Sequence, residues 1–175
     1  MLGQSKRMKP GMLFFAAFIS LFYLVGFGML GYGVWAARRS TQAASWPITP
    51  GTLTKVAIKE NSGNDGATYE VQVEYNYKVG GADYTGNRLA FGYSASSGHE
   101  AHDEIHKKLQ AAKSVEVRYD PFDPASSVLS FGIHRSIQFI LAFAITWLAF
   151  ILGFTLIWWL ASRPDGVLLE NLSVK

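Results

Sequence analysis

The chain contains no cysteine, which excludes disulfides, thiolate nucleophiles and cysteine-ligated metal centres. Charge is also scarce: Asp, Glu, Lys and Arg make up 17% of the 175 residues, against about 25% in soluble domains. A chain of this length has room for one ordinary domain, so large multidomain enzymes are excluded. The formal net charge is +3, and its placement removes a nucleic-acid reading. Lys6, Arg7 and Lys9 carry all of it, because the segment Arg38 to Arg135 balances eleven basic against eleven acidic residues and the C-terminal tail is neutral.

The missing charge is concentrated in two places. Met12 to Ala37 is 26 residues without a charge, and Ile137 to Leu160 is 24 more. As helices these runs span about 39 and about 36 Å, enough to cross a hydrocarbon core of about 30 Å. Neither shows the polar face of an amphipathic core helix, so both are expected to be transmembrane helices in contact with the lipid bilayer. Trp35, Trp158 and Trp159 fall where interfacial aromatics belong. The first run is too long for the apolar region of a cleaved signal, about 7 to 15 residues, and reads as an uncleaved anchor. The sequence Gly26-Phe27-Gly28-Met29-Leu30-Gly31 fits a dinucleotide-binding pattern, but inside an uncharged span it has neither the strand nor the water that phosphate binding needs.

Five Lys or Arg residues lie in the two tails, namely Lys6, Arg7, Lys9, Arg163 and Lys175, against Arg38, Arg39 and Arg135 at the ends of the middle segment. This places both termini in the cytoplasm and the middle segment outside the cytoplasmic membrane. Ala142, Thr146, Ala149 and Gly153 share one helical face, and Gly26 and Gly33 lie seven apart. Such positions allow close helix packing, either between the two spans of one chain or in a homodimer. Conduction is disfavoured because the spans hold no ionisable side chain of the kind that marks an ion path. The expected organisation is a basic tail (1–11), a first span (12–37), a linker (38–45), a β-rich domain (46–131), a second span (137–160) and a short tail (161–175).

Within the β-rich domain, Tyr69 to Val79 alternates apolar and polar residues strictly, which predicts a strand with one buried and one wet face. Gly80-Gly81 then supplies a two-residue hairpin turn, so Ala82 to Phe91 is the expected return strand. Gly51 to Glu60 reads as an earlier strand, followed by a turn-rich Asn61 to Gly66. His99 to Ala112 reads as a helix with Ala101, Ile105, Leu109 and Ala112 on one side. Val115 to Tyr119 is a fourth strand, Asp120 to Pro124 a turn, and Ser127 to Phe131 a fifth strand. Five strands and one helix in this order fit an OB-type barrel or an open antiparallel sheet; the fold class is thus a mainly-β (α+β) domain flanked by two transmembrane helices.

Several of these residues, in this order, carry a resemblance: Trp46-Pro47, Gly51-Thr52, Tyr75-Asn76-Tyr77, Gly80-Gly81 before Tyr84-Thr85-Gly86, and Val115 to Pro121 leading to Pro124 and Val128-Leu129. Together they resemble a bacterial membrane-protein family known as domain of unknown function 3592. The resemblance implies a membrane location and a small β-rich domain, and it brings no activity or catalytic residues. The histidine content of the helix departs from it.

Three of the four histidines, His99, His102 and His106, fall on that helix at offsets of three and seven, within about 60° of one another. They are candidate ligands for zinc or copper, or else part of a solvated polar face. A zincin helix requires Glu after the first histidine of the His102/His106 pair, and Asp103 stands there instead. Ser94, Ser96 and Ser97 lie near His99 without a nucleophile elbow, and Glu70 and Glu74 are about 13 Å apart on a strand, too far for paired acid-base work. Tyr69, Tyr75 and Tyr77 are expected in the core, while Tyr84, Phe91 and Tyr93 could extend an aromatic surface. No catalytic centre and no resident cofactor are expected. The leading reading is a non-catalytic membrane protein that presents a β-rich domain to a protein or envelope component, and the alternative is a tethered metal-binding protein or metal-dependent enzyme built on the three histidines.

Overall fold

The computed structural model describes residues 10–63 and 66–173. The basic cluster of Lys6, Arg7 and Lys9, the turn residues Asn64 and Asp65, and Lys175 lie outside them. The chain divides into two compact units, one from the described parts of 1–30 and 142–175, the other 31–141.

Both uncharged runs are helices: α1 is Pro10–Gln42 and α3 is Arg135–Ala161. Each is long and apolar enough to cross a membrane. In the first unit their packing depends on small residues and aromatic rings. Gly26 is buried against Leu148 and Trp147, where an added Cβ would come within 2.6 Å of the leucine. The Trp147 ring stacks beside Phe22 at 5.7 Å, its indole N–H donates to the Phe22 carbonyl at 3.1 Å, and Tyr23 donates to Thr155 at 3.3 Å. These polar groups therefore find partners without water, as a lipid environment requires. Phe15 and Trp158 stack at 4.1 Å. The small face of α3 is not the one that packs: Ala142, Thr146 and Ala149 are exposed, while Ala144 and Ile151 are buried. The short α4 (Gly166–Glu170) begins at Asp165, whose carboxylate accepts the Leu168 N–H at 3.1 Å.

The second unit contains a five-stranded antiparallel sheet of order β3-β2-β1-β4-β5. β1 (Ile48–Gly63) pairs with β2 (Gly66–Val79) from Gly51 opposite Tyr77 to Gly63 opposite Gly66, and a bulge between Leu53 and Lys55 shifts the register. Both strands run further than the turn-rich composition of Asn61 to Gly66 suggests, because once the hairpin is in register the polar residues pair as readily as apolar ones. Gly80 and Gly81 take φ of +58° and +88°, the left-handed pair a two-residue hairpin demands. β3 (Ala82–Gly86) stops five residues short of the expected Phe91. A Cβ at Gly86 would overlap the Tyr75 ring, and beyond it Leu89, Ala90 and Phe91 turn into the interior. The chain leaves the ladder there to bury apolar side chains.

α2 (His99–Gln110) follows, then β4 (Val115–Asp120) and β5 (Asp123–Val128). The expected five-residue turn shrinks to Pro121-Phe122, because the Asp120 carboxylate accepts the Phe122 N–H at 3.0 Å and closes the reversal locally. The fifth strand accordingly starts at Asp123 instead of Ser127. The helix turns His102, Ile105 and Leu109 inward; Ala101, expected inside, is exposed. Val71, Val73, Tyr75, Tyr77, Leu89 and Val117 form the core beneath it.

The sheet is open, and the barrel alternative is not formed. Among the described residues no ladder joins the edge strands β3 and β5. Because β3 ends at Gly86, the seam is closed by single contacts: the Tyr75 hydroxyl lies 3.0 Å from the Arg88 carbonyl and 3.1 Å from Ser127 Oγ, and the Leu89 carbonyl accepts from the Leu129 and Ser130 amides. Residues 38–45, expected as a linker, are helical, with α1 continuing to Gln42 and a 3-10 turn at Ala43–Ser45. Ser40 and Ala43 are fully buried there, and a second cluster of Ala43, Trp46, Phe91 and Val128 explains why the segment is ordered.

Candidate functional site

The three helix histidines have separate surroundings. His102 is 4% exposed, and both ring nitrogens are engaged: Nδ1 lies 2.6 Å from Tyr93 Oη and Nε2 2.8 Å from Ser96 Oγ. His99 is exposed and meets the Tyr69 ring edge-on at 4.6 Å. His106 is half-buried, and the salt bridge beside it joins Asp103 to Lys107 at 2.6 Å. Among the described residues no group of three or more His, Cys, Asp or Glu side chains is placed to hold a metal ion.

The His102 hydrogen bonds define one proton arrangement. Tyr93 Oη accepts the Val71 N–H at 3.0 Å. If the hydroxyl then donates to Nδ1, the imidazole carries its proton on Nε2 and donates to Ser96, whose own hydroxyl hydrogen faces solvent at this exposed residue. The opposite tautomer leaves the half-buried phenol hydrogen without a protein partner among the described residues. Ser96 is therefore an acceptor and not an activated nucleophile, and a phenol occupies the position where a triad has a carboxylate. Burial holds His102 below the usual imidazole range, with Glu70 acting against this and His99 in the same direction. Burial likewise raises the Tyr93 hydroxyl.

This cluster ties a loop to the sheet beside a stretch of β2 that β3 does not pair. Tyr69 and Ser96 exchange backbone hydrogen bonds of 2.8 and 3.0 Å, a single bridge that resumes pairing on the outer edge of β2. Ladder pairing with β3 begins only at Tyr75, opposite Gly86. By strand alternation, Val71 and Val73 direct their backbone groups to the same edge as Tyr69 and Tyr75. The Val71 N–H goes to Tyr93, and among the described residues no strand covers Val73. Over this edge lies a cleft of about 340 Å³, bordered by Glu70 to Glu74 on one side and Asn87 to Ala90 with Tyr93 on the other. Glu70, Glu74 and Arg88 give it charge of both signs.

The aromatic residues considered as a surface are mostly committed elsewhere. Phe91 is 3% exposed, Tyr84 stacks on Tyr77 at 5.7 Å, and Tyr93 is fixed as above. Tyr75 and Tyr77 are core, as alternation predicts, and burial pushes the Tyr75 hydroxyl up to about 12. Tyr69 is half-buried. The partnership of His102 with Tyr93 and Ser96 was not legible in the sequence, since offsets of nine and six across a loop carry no periodic signal.

The family model described as Domain of unknown function (DUF3592) matches residues 49–134. No curated protein and no solved structure matches the chain. The matched stretch contains β2 to β5, α2 and all of β1 except its first residue. Residues 49–134 of this protein are a DUF3592 domain.

Proposed function

We propose that this protein is a non-catalytic, membrane-anchored binding module, with the two apolar helices as its anchor and the DUF3592 domain as the part that receives a protein or envelope component. The observation that carries the reading is the cleft of about 340 Å³ beside the stretch of β2 that β3 does not pair, rimmed by Glu70, Gln72, Glu74, Asn87 and Arg88. A partner segment in extended conformation can lie in this cleft along β2, with Glu70, Glu74 and Arg88 selecting its charges. The domain lies outside the cytoplasmic membrane with both termini inside, in keeping with five basic residues in the tails against three at the ends of the middle segment. Metal binding by His99, His102 and His106 is the weaker reading, because Tyr93 and Ser96 engage both ring nitrogens of His102.

A photo-crosslinking residue at Gln72, used in native membranes, tests the site. The expected result is a reproducible adduct that disappears in Asn87→Trp, where an indole on the exposed rim blocks the cleft. An unaffected adduct, or none, counts against the reading. Orientation is tested separately with single cysteines at Ser5, Asn64 and Ser173 and an impermeant thiol reagent: labelling from outside at Asn64 alone supports it, and labelling at Ser5 and Ser173 alone reverses it.

A further inference from the structure

We infer that the β4–β5 hairpin tip is a lipid contact, with Phe122 entering the headgroup layer of the membrane that α1 crosses. The strand directions place it there. β1 starts at Ile48, just beyond the turn that ends α1, and β4 runs antiparallel to it, back toward that end. Arg118 lies opposite Ile48, and the Tyr119 amide donates to the Pro47 carbonyl at 3.2 Å. Asp120, Pro121 and Phe122 therefore continue past the first residue of β1 to the level of the α1 terminus. Side chains confirm the level: Arg39 Nη1 lies 3.2 Å from Asp120 Oδ2.

The depth follows from helix geometry. The uncharged run of α1 ends at Ala37, so Arg39 is about 3 Å further along the axis. The polar layer on each face of a bilayer is about 5 to 7 Å thick. A tip bound to Arg39 is held within that layer or at its outer limit. Phe122 is 97% exposed, the most exposed large apolar side chain among the described residues, and an exposed phenylalanine at this depth meets lipid. A second segment shows the same pattern independently. Gly132 donates to the Ser40 carbonyl at 3.1 Å and accepts from Ser40 Oγ at 2.9 Å, and its neighbours Phe131 and Ile133 are 45% and 52% exposed.

Charge favours a lipid surface over a protein partner. Arg38 and Arg135 are exposed at the same helix ends; of the two carboxylates that flank the tip, Asp120 is paired with Arg39, and the exposed Asp123 is outnumbered by the two arginines. Anionic headgroups complement this base. The tether adds to this, because a tip fixed to the end of a membrane span meets the bilayer before any other surface.

The inference rests on the reading of α1 as a membrane span, and the test separates the two. Because the chain has no cysteine, single cysteines replace Pro121, Leu24 and Ser62 in turn in the full chain, each carrying an environment-sensitive fluorophore. The labelled proteins are reconstituted in phosphatidylcholine vesicles containing a minority of phosphatidylglycerol. Nitroxide lipids labelled near the headgroup should quench the Pro121 probe several-fold more than the Ser62 probe, and that excess should vanish in Pro121→Cys/Phe122→Asp. Phe122 packs against almost nothing, so the second substitution leaves folding intact. Equal quenching at Pro121 and Ser62, with Leu24 quenched by deep acyl-chain nitroxides, overturns the inference alone. An unquenched Leu24 overturns the span reading and the inference with it.

Discussion

β2 is one strand with one alternation pattern, yet its two halves are finished differently. In the half from Tyr75 to Val79, β3 covers the outer edge, and the buried tyrosines reach across the sheet: Tyr75 to Arg88 and Ser127, Tyr77 to the Pro124 carbonyl. In the half from Tyr69 to Val73, two valines fill the core, one backbone bridge reaches Ser96, and the Tyr93 hydroxyl substitutes for a strand at Val71. The first half is closed by backbone and by core hydroxyls. The second is closed by a loop held through His102, and Val73, though buried, has no strand paired to it on that edge. The contrast teaches that the face of a strand and its edge are specified separately, the face by residue type every second position and the edge by where the neighbouring chain happens to leave.

The sharpest way to break the closed half is Tyr75→Ala. It empties a fully buried ring position and removes both hydroxyl contacts at the β3–β5 seam, and a loss of about 3 to 5 kcal/mol is expected. Thermal unfolding of the detergent-solubilised chain, followed by near-ultraviolet circular dichroism, measures it. An effect under about 1 kcal/mol would mean that the seam does not hold the sheet.

The open half is probed by Tyr93→Phe, which keeps the ring but removes the acceptor for Val71 and the donor to His102. The expected cost is about 1 to 3 kcal/mol, concentrated in the 87–98 loop and visible as lost amide protection at Val71. A loss spread evenly over the sheet would contradict the division of β2 into two halves.

The face of β2 was legible because period two survives any context: Val71, Val73, Tyr75 and Tyr77 are buried as alternation predicts. The two uncharged helices were legible for the same reason, as composition alone fixes them. The length of β3 was not, since Leu89, Ala90 and Phe91 are as apolar as a strand requires and only the Tyr75 ring against Gly86 shows that the chain must leave. Nor was the ordered 38–45 segment, whose small residues read as a linker until Trp46 and Phe91 are seen to pack on Ala43. The candidate site was half visible. The histidine cluster drew notice, but His102 is set by Tyr93 and Ser96, whereas its helix neighbours face elsewhere.

A smaller effect follows from His102. Burial keeps its folded pKa below the ordinary value of about 6.5. As pH falls through about 6.5 the unfolded chain takes up a proton that the folded chain refuses, so this contribution is complete above that pH and is lost as pH falls toward the folded value. Tyr93, Ser96, Glu70 and His99 surround the ring and set the extent. Stability of the solubilised chain measured between pH 8 and pH 5, on the order of the range in which histidine titrates, should decline with acidity, and His102→Gln should flatten the decline. An unchanged slope in the variant would remove His102 from the open half.

The most direct test of the unpaired edge is residue-resolved amide hydrogen exchange on the full chain in membranes. Three amides on the outer edge of β2 point the same way but meet different fates: Val71 is held by Tyr93, Tyr75 by β3, and Val73 by neither. Exchange at Val73 should be much faster than at Val71 and Tyr75 on either side. Protection of Val73 equal to that of Tyr75 would show that this stretch is held as firmly as the half under β3, and would contradict the division of β2 into two halves.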